Sequence, residues 1–159
     1  MLALAACGNS TPGEVVIAGN TMGTQYSVKL IASDPDEESL EMRIQASLDD
    51  VNAMMSTYRE DSEISAFNAS RSTDWIGVSA AFCTSVEQAL ALSAMTEGAF
   101  DITVAPLVNL WGFGPEDMID EPPADELINA QLERVGYQHL HTDCTLPALR
   151  KDFPELMLD

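Results

Sequence analysis

Three observations predict a mixed α and β fold, α/β of the α+β kind, for this chain. Tyr26, Val28 and Leu30 alternate with Gln25, Ser27 and Lys29, the period of a half-buried strand. Leu40, Ile44, Leu48, Val51 and Met55 recur at steps of three and four, which lines one face of a helix. Phe82, Val86 and Leu90 repeat that spacing ahead of Gly98, a residue suited to end a helix. With 159 residues, 46% of them hydrophobic, the chain can bury one core and is not of disordered composition.

Taken in order, Val15 to Leu30 reads as strand, turn, strand, with the turn in Gly19-Asn20-Thr21-Met22-Gly23-Thr24. Asp34-Pro35-Asp36-Glu37 then starts a helix: Asp34 caps, Pro35 takes the first position, and Glu37 stands where a capping-box acid belongs. The stripe that follows is read as core packing. The helix runs down at Ser56-Thr57-Tyr58, and polar Arg59 to Glu63 forms a loop. A second helix opens at Ser79 and runs to Glu97, where Ala89, Ala91 and Ala94 permit close approach to a sheet. Residues 116–124, rich in acids and proline, form a surface loop. A shorter helix spans Asp125 to Arg134, and Val135-Gly136-Tyr137 leads into a strand near His139.

Composition narrows the function. The 26 acidic against 7 basic residues give a net charge of −19, which repels nucleic acid and anionic lipid headgroups. Nucleic acid is therefore not an expected partner. Most of these charges are read as solvated faces. Leu4-Ala5-Ala6-Cys7 reads as a lipobox, with small residues before a cysteine that is lipidated after cleavage. On that reading residues 1–7 are the remnant of a lipoprotein signal peptide and residues 8–18 a tether. The expectation is a lipid-anchored protein of the bacterial periplasm, held at the inner membrane. An ordinary apolar N-terminus is the alternative. No run is long enough to span a membrane. Cys83 and Cys144 can pair in an oxidising compartment, but no spacing motif establishes a bridge, and Cys83 also reads as a small buried apolar residue.

Motifs of known chemistry are few. His139 and His141 stand two apart, so on a strand they share a face that can bind a metal; they are read as bystanders. Gly-x-Gly-x-x-Gly, Walker and Gly-x-Ser-x-Gly patterns do not occur. Three polar-aromatic blocks do. In Thr21-Met22-Gly23-Thr24, glycine permits close backbone approach and Met22 offers a polarizable thioether to a flat ligand, or else packs in the core. In residues 55–68, MSTYREDSEISAFN, Tyr58 at a helix end can stack on a ring, or else cover the core edge. In residues 98–114, GAFDITVAPLVNLWGFG, an aspartate interrupts an apolar run closed by a turn of Trp, Gly, Phe and Gly. A carboxylate in such a run is costly to bury unless it accepts hydrogen bonds or meets a polar ligand; Asp101 is otherwise a cap.

In order and spacing, these three blocks resemble the ApbE family, the FAD:protein FMN transferases, from Gly19 to Asp159. The resemblance implies an ApbE-like fold related to the tunnelling fold, with residues 19–159 forming the N-terminal half of one domain. It implies transfer of FMN from FAD to a threonine or serine hydroxyl of a target protein, with Mg2+ and release of AMP. The targets it implies are subunits of membrane-bound, ion-translocating flavin oxidoreductases. By resemblance, the FAD-contacting positions are Met22, Tyr58, Ala99, Phe100, Asp101 and Asp159. The family's metal-contacting stretches would follow Asp159, so no residue here is assigned to metal or to proton transfer. A chain inactive by itself is expected. An FAD pyrophosphatase and a non-catalytic periplasmic FAD-binding lipoprotein are the alternatives.

Overall fold

The computed structural model describes residues 11–115 and 121–159, which mix five strands and five α-helices. Cys7, with the lipobox and the start of the tether, lies outside the described residues, as do residues 116–120 of the acidic loop. The chain divides into two compact units after Asn52.

In the first unit, β1 (Gly13–Thr21) and β2 (Thr24–Ala32) form an antiparallel hairpin. The register is unbroken from Gly13 opposite Ala32 to Thr21 opposite Thr24. That leaves only Met22 and Gly23 for the turn, with φ of 48° and 72°, the left-handed pair that matches the twist of a hairpin. The predicted six-residue turn is thus two residues long. Gly19 belongs to the strand instead, and a Cβ there would meet the ring of Tyr26 opposite at 2.8 Å. The tether predicted to Ala18 is corrected too, because β-branched Val15, Val16 and Ile17 carry the strand back to Gly13.

Helix α1 (Glu37–Met55) begins later than predicted. Asp36, not Asp34, receives the Ser39 N–H on its carboxylate at 3.1 Å, and Asp34 sits in a preceding turn at φ 55°. Glu37 and Glu38 place negative charge in the first turn, where the helix dipole favours it. None of the side chains of α1 is buried: Leu40, Ile44, Leu48 and Met55 are half-buried and Val51 is exposed. The stripe read as core is therefore only half covered.

The second unit has a packed centre of Ile64, Phe67, Phe82, Cys83, Val86, Ile102, Leu140, Leu149, Leu156 and Leu158. Helix α2 (Glu63–Ala69) starts at the last residue of the predicted loop and continues through residues for which the sequence predicted no element. Ser62 caps it, accepting the Ser65 N–H at 3.1 Å and donating to the Ser56 carbonyl at 2.6 Å. Helix α3 (Ala80–Met95) is capped by Ser79 as predicted, and Gly98 at φ 84° closes it with an N–H bond to the Ser93 carbonyl. Helices α4 (Ala105–Leu110) and α5 (Asp125–Leu132) follow. Strands β3 (Ile76–Gly77), β4 (Leu140–Asp143) and β5 (Ala148–Lys151) form an antiparallel sheet in the order β3-β5-β4. A disulfide joins Cys83 to Cys144 with the Cα atoms 5.7 Å apart, which settles the pairing the sequence left open. Among the described residues, no helix is long and apolar enough to cross a membrane.

Candidate functional site

The turn after α3 holds a carboxylate that accepts three hydrogen bonds. Asp101 Oδ1 accepts the Thr103 N–H at 2.8 Å and its hydroxyl at 2.7 Å, while Oδ2 accepts the Tyr137 N–H at 2.9 Å. Thr103, fully buried, accepts the Gly136 N–H on its own hydroxyl oxygen at 2.7 Å. One carboxylate and one hydroxyl thus satisfy three backbone donors from two segments more than thirty residues apart. This answers the cost of placing an aspartate in an apolar run. Both lone pairs of Oδ1 are filled, whereas Oδ2 keeps acceptor capacity for one more donor. Beside it, the Phe100 N–H donates to the Thr96 hydroxyl at 3.1 Å, and Ala99 and Phe100 are exposed.

Asp159 reaches the same turn through its backbone. Its N–H donates to the Ile102 carbonyl at 3.0 Å, and the residue is exposed. Behind it, the Asn68 side chain pairs with Leu158, donating from Nδ2 to the carbonyl at 2.8 Å and accepting the N–H on Oδ1 at 2.8 Å. Lys151 is buried under this segment, donating to the carbonyls of Leu156 at 3.1 Å and Phe67 at 3.3 Å. Its Nζ also lies 5.0 Å from the centre of the Phe67 ring. Burial pushes the Lys151 amine below its ordinary value of 10.5.

Tyr58 follows the end of α1 and is 69% exposed, its hydroxyl donating to the Phe113 carbonyl at 2.9 Å. The phenol is thereby tied to the Trp111-Gly112-Phe113-Gly114 turn while the ring stays open to solvent. Gly112 takes φ 71° there, and the Asn109 side chain fills the space a Cβ on Gly114 would need. Phe113 is 75% exposed, so the turn presents a second bare ring. Met22 belongs to the first unit, at the tip of its hairpin, with half its surface exposed. The expectation of a core methionine at that turn does not hold.

The two histidines are not idle. His141 Nε2 lies 2.8 Å from Asp152 Oδ1, and His139 Nδ1 lies 3.3 Å from Oδ2, with Arg150 at 3.6 Å from the first oxygen. His141 and then His139 hold the Asp152 carboxyl below its ordinary 3.8. Among the described residues, no group of three or more His, Cys, Asp or Glu is placed to hold a metal ion.

The structure brings the Ala99–Asp101 turn and Asp159 together and orders Tyr58 on the glycine-rich turn. Sequence reasoning gave no role to Thr103 or Asn68, which lie inside the quoted blocks, and missed Lys151. Thr103 carried a signal, since Asp-x-Thr favours a side chain that folds back on the backbone two residues on. The partner of Asn68 lies ninety residues away and that of Lys151 at Phe67 eighty-four, so neither pairing left a local signal.

The profile of the ApbE family matches residues 22–159. The chain belongs to the ApbE family. A relative from Vibrio cholerae serotype O1, named FAD:protein FMN transferase, is 45% identical over 162 residues, covering 100% of this chain and 47% of the relative. One of the same name from Haemophilus influenzae is 40% identical over 164 residues, covering 99% and 47%. Among solved structures, the flavin transferase ApbE from Vibrio cholerae superposes with a TM-score of 0.88 at 45% identity, covering 93% of this chain and 48% of that one. The apo form of the Pseudomonas stutzeri flavinyl transferase ApbE gives 0.86 at 36% identity, covering 94% and 50%. The chain spans about half the length of the curated relatives it matches.

Proposed function

We propose that this chain forms the flavin-nucleotide-binding part of an FAD:protein FMN transferase. The observation that carries this is the 45% identity, across the whole chain, to a relative of that name. In this reading a threonine or serine hydroxyl of a target protein attacks the phosphorus of the FMN half of FAD. The new P–O bond forms, the bond to the AMP oxygen breaks, AMP leaves with the electron pair, and the hydroxyl proton passes to solvent water. The open rings of Tyr58 and Phe100 suit stacking on a flat ring system, and Oδ2 of Asp101 and the exposed carboxylate of Asp159 suit hydroxyl or amide donors. Met22 is assigned to FAD contact by family resemblance alone.

Family membership implies Mg2+, which would neutralise charge on the pyrophosphate. The donors do not fit it: no cluster of metal-ligating side chains occurs among the described residues, and Oδ1 of Asp101 is already filled. No step is assigned to the metal. Lipidation at Cys7, anchorage in the bacterial periplasm at the inner membrane, and flavin-oxidoreductase subunits as targets belong to the same proposal. The lipobox supports lipidation and anchorage, the Cys83–Cys144 disulfide suits an oxidising compartment, and the targets rest on family resemblance.

The test is an FAD titration of the purified chain, followed by incubation with Mg2+ and a threonine-containing acceptor. Saturable FAD binding without AMP release is expected. Tyr58→Ala should weaken binding by about 1–2 kcal/mol, the scale of a lost aromatic stack. AMP with free FMN would mark a pyrophosphatase, and AMP with flavinylated acceptor would show that this chain is a complete catalyst. An absence of FAD binding would overturn the proposal.

A further inference from the structure

The stretch from Leu156 to Asp159 is not held by a strand ladder. Side chains hold it: Lys151 bonds the Leu156 carbonyl, and the Asn68 amide bonds both backbone groups of Leu158. A primary amide presents a donor and an acceptor in one plane, so it can stand in for the edge of a neighbouring strand. The pair spans 90 residues and is half-buried, so water competes weakly for its two bonds. The Leu158 side chain is itself fully buried, so core packing anchors that residue while Asn68 fixes the direction of its backbone. The next N–H, that of Asp159, then meets the Ile102 carbonyl, one residue from the carboxylate of Asp101.

We propose that Asn68 is a positioning residue of the flavin site: by pairing with Leu158 it sets where the Asp159 carboxylate stands relative to Asp101. This rests on the flavin-binding reading above. The residue type is demanding. Aspartate keeps the shape but loses the donor and turns a negative oxygen toward the Leu158 carbonyl. Alanine loses both bonds, and glutamine is one methylene too long for the same register. Lys151 bonds the carbonyls of Phe67, next to Asn68, and of Leu156, two residues before Leu158.

The experiment uses the full chain with FAD as the probe, comparing Asn68→Asp and Asn68→Ala with wild type. Amide hydrogen exchange should speed up at Leu158 and Asp159 while core amides such as Phe82 and Val86 keep their protection. FAD binding should weaken about tenfold, the scale of a hydrogen bond lost with its partner left unpaired. Asp159→Asn should weaken FAD binding in wild type and add little in the Asn68→Asp background. Additive losses, or an unchanged dissociation constant alongside faster Leu158 exchange, would make Asn68 merely structural and overturn the inference. If Asn68→Ala fails to fold, the isosteric Asn68→Asp decides. A wild-type chain that binds no FAD overturns the flavin reading itself, a failure visible before any substitution is made.

Discussion

The unit up to Asn52 and the unit from Ala53 onward are held together by different means. The first has a hairpin in unbroken register and most of a helix with no buried side chain; Ile17 is the one buried apolar residue among its described positions. Its order comes from backbone hydrogen bonds and local rules: a left-handed two-residue turn, an aspartate cap, β-branched strand residues. The second has a ten-residue apolar cluster, a disulfide across 61 residues and a carboxylate that ties together distant loops. Considered by itself, a two-stranded hairpin is marginal in water, whereas a packed, cross-linked core is not. Local pattern is enough to write an element, but long-range contacts are needed to make it resist unfolding.

The largest effect expected from this contrast is at Phe82, which is fully buried. Phe82→Ala should cost about 4 kcal/mol in denaturant unfolding, through lost burial and an unfilled cavity. Leu48→Ala, on the half-covered face of α1, should cost roughly 1 kcal/mol. Equal costs would erase the distinction between the units. Next comes the cross-link: reduction, or Cys83→Ser with Cys144→Ser, should lower stability by about 3 kcal/mol. Amide exchange in the β1–β2 hairpin should be unaffected, since neither cysteine belongs to its unit.

What the sequence could show follows the same division. Strand alternation, the helical spacing of α1 and the Ser79 and Gly98 boundaries are local signals, and the structure forms those elements, though the α1 stripe is only half covered and Val28 is exposed. Helix α2 escaped because seven residues with two buried apolar positions, Ile64 and Phe67, are too short to show a period. The site divides likewise. Asp101 drew notice as a charge in an apolar run, but its partner Tyr137 lies thirty-six residues on, as Gly136 lies thirty-three from Thr103, and neither could be read from the surroundings. Asn68 closes a block that the sequence itself singles out, but its pairing with Leu158 ninety residues on, and that of Lys151 with Phe67, could not be read locally.

A smaller effect concerns pH. The folded state holds the Asp152 carboxyl below 3.8, first through the His141 hydrogen bond, so it binds that proton less tightly than the unfolded chain. The resulting stability is fully present above about pH 3.8 and fades as pH falls through the lowered folded value. Thermal unfolding of Asp152→Asn should track wild type at the lowest pH and fall slightly below it once the carboxylate ionises. A constant offset across the range would mean that the His139–His141–Asp152 cluster contributes no ionisation-dependent stability.

The central claim is that the second unit carries both the rigid core and the ordered part of a flavin site. Amide hydrogen exchange with and without saturating FAD tests it most directly. FAD should slow exchange at residues 98–103 and at Leu158 and Asp159, segments already tied together by Asp101, Ile102 and Asn68. FAD that binds and leaves those amides unchanged, protecting other parts of the chain instead, would contradict the account.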